Sequence, residues 1–170
     1  LLGDLLPNPK ALLEHGLEDT SGGVPVHSLY IFSSNPAITA PNQNLVRQGL
    51  MRDDLFTVVH ERFFTDTCAY ADIILPATSS AESDDIFNSY GHYTIAASYQ
   101  AIPPVGESKS NWQVISELAQ RMGLDDPFFA MTERELIEHM VHNSSKLSQD
   151  EQDAILRGDL VEVALPDNYK

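Results

Sequence analysis

Three short apolar runs, each cut off by a polar or proline-bearing segment, constrain this chain more than any other feature. Ser28-Leu29-Tyr30-Ile31-Phe32 ends in Ser33-Ser34-Asn35-Pro36, Leu55 to Val59 ends in His60-Glu61, and Asp72-Ile73-Ile74-Leu75 stops at Pro76. Runs of this length and composition read as strands, and strands buried on both faces show continuous apolar stretches rather than alternation. Helical stretches separate them. Pro41 suits the first turn of a helix that runs to about Met51, striped by Leu45, Val46, Leu50 and Met51. Thr65 or Asp66 caps a shorter helix through Tyr70. Strand, helix, strand, helix, strand predicts parallel crossover units, which are almost always right-handed. The predicted class is therefore α/β: a three-layer, open, doubly wound, mainly parallel sheet with helices on both faces.

The flanking regions read differently. In residues 1–25, Leu12, Leu13 and Leu17 predict a short amphipathic helix, followed by a loop cluster from Asp19 to Pro25. Residues 77–91 are polar, and Tyr93 to Tyr99 is β-prone. Ser110 or Asn111 caps a helix through Met122 whose apolar face carries Val114, Ile115, Leu118 and Ala119, and Gly123 suits its end. Thr132, with Glu135 three places on, forms a capping box for a helix to Val141, and a last amphipathic stretch covers 149–157. This divides the chain into an N-terminal segment 1–25, an α/β domain 26–125 and a C-terminal helical segment 126–170.

Composition excludes several classes of function. Asp and Glu number 25 against 10 Lys and Arg, a formal net charge of -15. Such a chain repels a phosphate backbone or an anionic membrane surface, so nucleic acid is not an expected partner. No apolar run reaches the ~18 residues of a membrane span, so direct membrane insertion is not expected either. The single cysteine, Cys68, rules out an internal disulfide. That fits the cytoplasm, the expected location, and is also compatible with the periplasm. The chain opens on Leu1 and is read as a piece of a longer polypeptide.

In open α/β sheets, ligands sit outside the carboxyl ends of the strands. Two such ends are chemically loaded here: hydroxyls and an amide in Ser33-Ser34-Asn35, a ring and a carboxylate in His60-Glu61. A carboxylate at the second position binds a ribose diol or accepts two N–H donors from a guanine edge. No glycine lies between Ser33 and Pro41, so a pyrophosphate pressed onto a glycine turn is not expected. Against this stands a plain reading in which Asn-Pro opens a turn and a strand-terminal Glu is merely solvated. Cys68 is expected to be a small buried residue. His139 and His142 are expected on a solvated helix face and Trp112 as a packing anchor, because a zinc site needs further ligands.

The wording of these segments is more specific than their pattern. Phe32-Ser33-Ser34-Asn35-Pro36-Ala37, then Val58 to Ala77 with its Thr65-Asp66-Thr67 and Tyr70-Ala71-Asp72-Ile73-Ile74-Leu75-Pro76, resembles the large subunits of molybdopterin oxidoreductases. This is the dimethyl sulfoxide reductase family, with its formate dehydrogenases and nitrate reductases. Glu82 and Pro104-Val105-Gly106-Glu107-Ser108-Lys109-Ser110-Asn111-Trp112 continue the resemblance, which covers about residues 26–125. Departures exist: Glu61 stands where the family usually has Asp, Asn111 often corresponds to Asp, Asp85 to Gly, and His92-Tyr93 to Gly-Arg.

The resemblance implies a Rossmann-like, dinucleotide-binding domain that holds part of a molybdopterin guanine dinucleotide carrying Mo or W. By matched position, the cofactor-binding residues are Ser34, Asn35, His60, Glu61, Ser83 and Asn111. No catalytic or metal-ligating residue is expected in this segment. The metal ligand and an iron–sulfur cluster belong elsewhere in the parent chain, so the piece alone is expected to be inactive while the parent is an oxidoreductase. Expected partners are the remaining domains of the same chain and an electron-transfer subunit. Two other readings stand beside this one. The first is a cofactor-free structural relative, such as the large iron–sulfur subunit of respiratory complex I. The second is another nucleotide binder, such as the middle domain of thiamine diphosphate enzymes.

Overall fold

The computed structural model describes residues 26–88 and 93–162. The helix expected around Leu12–Leu17 and the departure at His92 lie outside these residues. The chain forms two compact units that divide between Ala77 and Thr78. That division runs inside the stretch 26–125 read from the sequence as one domain.

The first unit is built on a parallel sheet of β1 (Ser28–Phe32), β2 (Phe56–Glu61) and β3 (Ile73–Pro76), in the order β1-β2-β3. Tyr30 sits beside Val58 and Phe32 beside His60, while His60 neighbours Leu75 and Glu61 neighbours Pro76. Parallel strands need a crossover, and here α1 (Pro36–Thr39) and α2 (Gln43–Leu50) link β1 to β2, with a 3₁₀ helix (Asp66–Tyr70) between β2 and β3. The helix expected from Pro41 to Met51 is α2, and the short α1 before it is a further element that the apolar stripe does not mark. Pro36 opens α1 at a first-turn position, and Asn42, in the left-handed region at φ 57°, precedes α2. Arg47 Nε donates to the Ala37 carbonyl at 3.2 Å and ties the two helices.

Leu29 and Ile31, Val59 and Ile74 point to the helices and pack with Ala37, Val46, Leu50, Leu55 and Cys68 into one core. Each fully buried aliphatic side chain there contributes about 1.5–3 kcal/mol. The opposite face carries Tyr30, Phe32, Phe56, Val58 and Ile73. Among the described residues, the helices of this unit therefore cover one face of the sheet. A strand order that steps in one direction, joined by crossovers of one hand, places both crossovers on the same side. Asp72 completes the ladder: its backbone N–H donates to the Thr57 carbonyl at 2.9 Å, and its carboxylate accepts the Thr57 N–H at 2.7 Å.

Ser33 ends β1 at φ 50°. A non-glycine residue in this region costs about 1–2 kcal/mol, and it makes the abrupt turn for which the sequence offers no glycine.

The second unit holds an antiparallel sheet, of which the β-prone stretch Tyr93–Tyr99 marks the central strand alone. β4 (Asp85–Asn88), β5 (Thr94–Ser98) and β6 (Val161–Glu162) pair antiparallel in the order β4-β5-β6. The α/β class stands, with its parallel sheet in the first unit joined by this antiparallel one. α3 (Asn111–Arg121), a 3₁₀ helix (Pro127–Ala130), α4 (Glu133–His142) and α5 (Gln149–Leu156) complete the unit. Ala97, Ile137, Val141 and Ile155 form its core with Ile86, Ile95 and Val161. The last two helices thus pack on the sheet of their own unit. Capping boxes start α4 at Thr132–Glu135 and α5 at Ser148–Glu151. Gly158 ends α5 at φ 87°, with its N–H on the Ile155 carbonyl and that of Asp159 on Ala154, a Schellman closure. Among the described residues, no helix is long and apolar enough to cross a membrane.

Glu82 ties two loops of this unit. Its buried carboxylate accepts the N–H groups of Ser79 and Val105, each at 2.7 Å. Hydrogen bonding from the Ser79 side chain, then from these two backbone donors, holds the carboxyl below the usual glutamate range.

Two predictions follow from local geometry. Ser33→Gly is expected to leave the thermal midpoint of the chain unchanged or raised, whereas Ser33→Val lowers stability by about 1–3 kcal/mol, because a β-branched residue resists the left-handed region. A depressed folded pKa means stability present above the unfolded value of about 4.3 and lost as pH falls through the lower folded value. Glu82→Gln, which cannot titrate, is therefore expected to melt lower than the wild type at pH 7. Its midpoint should also fall less steeply on acidification below about pH 4.5. The slope left in the variant is assigned to the other carboxyls held below their ordinary range: Asp54, Asp84 and Glu117, and Glu135 and Glu151, lowered by their capping-box hydrogen bonds.

Candidate functional site at the carboxyl edge of the parallel sheet

The three parallel strands end side by side. Ser33 N–H donates to the His60 carbonyl at 3.4 Å, and Ala77 N–H donates to the Glu61 carbonyl at 3.2 Å. The segment after β1 and the residues ending β2 therefore lie one strand spacing apart, about 4.8 Å. Ser34 is exposed in this loop. The loop is pinned immediately afterwards, where the Asn35 carbonyl accepts the N–H groups of Ile38 at 3.1 Å and Thr39 at 3.0 Å and the Thr39 hydroxyl at 2.9 Å.

Asn35 does not cap α1 with its own side chain. Its Oδ1 reaches across to the 3₁₀ helix and accepts both the Thr67 hydroxyl, at 2.6 Å, and the Thr67 N–H, at 3.2 Å. The fully buried Thr67 oxygen in turn accepts the Ala37 N–H at 3.2 Å. One threonine thus fastens the amide of the loop and supplies the cap that the N-terminus of α1 lacks. With Oδ1 so occupied, Asn35 presents its Nδ2 donors as the remaining hydrogen-bonding capacity of the side chain.

Glu61 lies at the carboxyl end of β2. Its Oε1 accepts the Arg62 N–H at 2.7 Å, and the Arg62 guanidinium stands 3.9 Å away. A carboxylate has about four acceptor positions, so capacity remains for an incoming N–H pair. Phe63 and Phe64, the next residues but one and two in the chain, are exposed at 75% and 85%.

His60, next to Glu61 in β2, points to the opposite face of the sheet, because successive strand residues alternate. It is fully buried, with its ring 6.3 Å from that of Tyr30.

Ser83 and Asn111 belong to the second unit. Ser83 Oγ donates to the Ser79 carbonyl at 3.4 Å within the loop that Glu82 holds. Asn111 is the first residue of α3, because Ser110 is the cap and its hydroxyl accepts the Gln113 N–H at 3.1 Å. Trp112 follows, donating from Nε1 to the Met131 carbonyl at 2.8 Å and packing edge-on to Phe128 at 5.0 Å. His142 lies on α4 with Nδ1 3.3 Å from the Gln152 amide oxygen. His139 Nδ1 stands 3.3 Å from the Asn143 amide nitrogen. Among the described residues, no three metal-ligating side chains cluster.

The edge is thus made of Ser34, Asn35 and Glu61, with Ser33 and Thr67 as supports that sequence reading missed. The signal for Thr67 was present in the Thr65-Asp66-Thr67 wording, but its partner lies 32 residues away. Chemically, the edge offers hydroxyl and amide donors on one strand end and a carboxylate acceptor on the next.

Comparison with known proteins identifies the setting. The family described as molybdopterin oxidoreductase matches residues 13–121. A probable oxidoreductase of Bacillus subtilis is 54% identical over 102 residues, covering 60% of this chain and 15% of that protein. A putative formate dehydrogenase of Staphylococcus aureus is 37% identical over 119 residues, covering 69% of this chain and 12% of that protein. Among solved structures, acetylene hydratase from Pelobacter acetylenicus superposes with a TM-score of 0.70 at 28% identity, covering 94% of this chain and 21% of that one. The chain therefore spans less than a quarter of each of these relatives. The family match across most of the chain, together with a parallel sheet whose polar wording is gathered at its carboxyl edge, shows that this chain belongs to the molybdopterin oxidoreductase family.

Proposed function

We propose that this chain is the part of a molybdenum- or tungsten-dependent oxidoreductase that holds the guanine end of a molybdopterin guanine dinucleotide. The observation that carries the reading is the juxtaposition of the Ser34–Asn35 loop with the Glu61 carboxylate on adjacent strand ends. The donor set fits such a group. Phosphate and ribose oxygens need donors, which the Ser34 hydroxyl and Asn35 Nδ2 supply. A guanine edge presents N–H donors, which the Glu61 carboxylate accepts with charge-assisted hydrogen bonds. The family resemblance alone assigns cofactor contacts to Ser83 and Asn111.

The cofactor, when bound, supplies the redox chemistry of the metal. The residues of this chain bind and orient it. They hold the nucleotide tail so that the metal-bearing end is presented in other domains of the parent chain. The parent enzyme is proposed to transfer electrons or oxygen atoms to or from a small substrate. The putative formate dehydrogenase among its relatives favours a formate dehydrogenase-like enzyme. An iron–sulfur cluster elsewhere in the parent chain and an electron-transfer subunit complete the proposal.

The test is Glu61→Ala in the full-length protein, with guanine nucleotide and metal measured per mole after acid release. Losing a charge-assisted hydrogen-bond pair is worth about 1.5–3 kcal/mol, so affinity falls about ten- to a hundredfold and occupancy drops when cofactor is limiting. Wild-type guanine and metal content in the variant would contradict the assignment.

A further inference from the structure

The Asn35–Thr67 bridge has a consequence for how the edge binds. Ser34, the exposed donor, sits between a residue in the left-handed region, Ser33, and one whose side chain is committed to another crossover, Asn35. Strained backbone of this kind persists only where its surroundings over-determine it. The carbonyl of Asn35 fixes the start of α1, and its Oδ1 fixes the loop to Thr67. Because Thr67 Oγ1 also accepts the Ala37 N–H, a single hydroxyl holds the turn that displays Ser34 at two points on its C-terminal side, while the Ser33 N–H on the His60 carbonyl holds the other. It does so from a fully buried position, where a hydrogen bond is neither shared with water nor cheaply replaced.

We propose that Thr67 is a positioning residue for cofactor binding. Through Asn35 and Ala37 it holds the Ser33–Asn35 turn so that the Ser34 hydroxyl and Asn35 Nδ2 meet the dinucleotide without rearrangement. This rests on the function proposed above and adds to it a residue that touches no cofactor. Preorganisation of this kind acts on affinity, because a loop held in its bound shape loses little freedom on binding. The Thr65-Asp66-Thr67 wording then has two distinct members. Thr65 lies beside the Cys68 thiol at 3.6 Å and serves the core, whereas Thr67 serves the edge.

The experiment uses the full-length holoprotein, with Thr67→Val, Thr67→Ser, Asn35→Ala and the double variant Asn35→Ala/Thr67→Val. Guanine nucleotide retained per mole of protein is measured under limiting cofactor. Thr67→Val keeps the shape and deletes the hydroxyl, and about tenfold weaker retention is expected. Thr67→Ser restores the hydroxyl and is expected to return retention to within about twofold of the wild type. If Thr67 acts through Asn35, the double variant retains as much as Asn35→Ala alone. Amide exchange at Ala37 supplies a readout independent of the cofactor, and is expected to speed up in Thr67→Val and not in Thr67→Ser. Should Thr67→Val fail to accumulate, Thr67→Ala is read by the same measurements.

Wild-type retention in Thr67→Val overturns the proposal. So does a failure of Thr67→Ser to restore retention, or losses that multiply in the double variant. A wild-type holoprotein that yields no guanine nucleotide at all overturns the proposed function itself. That outcome is distinguishable, because it precedes any comparison among variants.

Discussion

Parallel strands cannot be joined by a tight turn, and that constraint organises the first unit. Each strand must leave through a crossover and return at the same end, so the carboxyl ends of β1, β2 and β3 collect on one edge. Everything chemical in this unit follows from that gathering. Ser34 and Asn35 would be distant from Glu61 in an antiparallel meander of the same length, but here they share a border. The helices that make the crossovers bury Ile31, Val59 and Ile74 beneath them, so the edge stands on a rigid base.

Hydrogen bonds made by side chains finish what the ladder begins. At the amino end of β2, Asp72 accepts the Thr57 N–H and closes the sheet where β3 has not yet started. At the carboxyl end, Thr67 and Asn35 bind one crossover to the other. Both devices lie in the Thr65-to-Pro76 wording that characterises the chain. That wording therefore encodes the frame of the edge, while Ser34 and Glu61 encode what the edge offers to a ligand. In the second unit, Glu82 has the matching role for the loop that bears Ser83, and Asp84 fastens the same region to α4 through Arg134 at 2.9 Å.

The parallel strands were legible from their unbroken apolar runs, although Phe32, Phe56 and Ile73, on the face the helices leave uncovered, stay exposed; two of the helices were legible because Ser110 and Thr132 announce them. β4 was not, since Asp85 and Asn88 flank only two apolar residues and the strand owes its existence to pairing with β5. Helix coverage of one sheet face depends on strand order, which no local pattern carries. Ser33 gave no sign of its left-handed backbone, because glycine is the usual marker and none is present. His60 reads as polar and exposed, yet it is fully buried, and no local pattern shows this. Asn35 looks like a cap for the helix that follows it, but a donor pair 32 residues away competes successfully for its oxygen.

Where the purine tail lies in the intact protein decides whether the carboxyl edge of the parallel sheet holds the cofactor. An experimental structure of the full-length enzyme, purified with its cofactor, would locate that tail directly. The prediction is a guanine ring within hydrogen-bond distance of the Glu61 carboxylate, with the Ser34 hydroxyl on the sugar–phosphate portion. A dinucleotide resting on other elements, with Ser34 and Glu61 facing solvent or another protein surface, would contradict it.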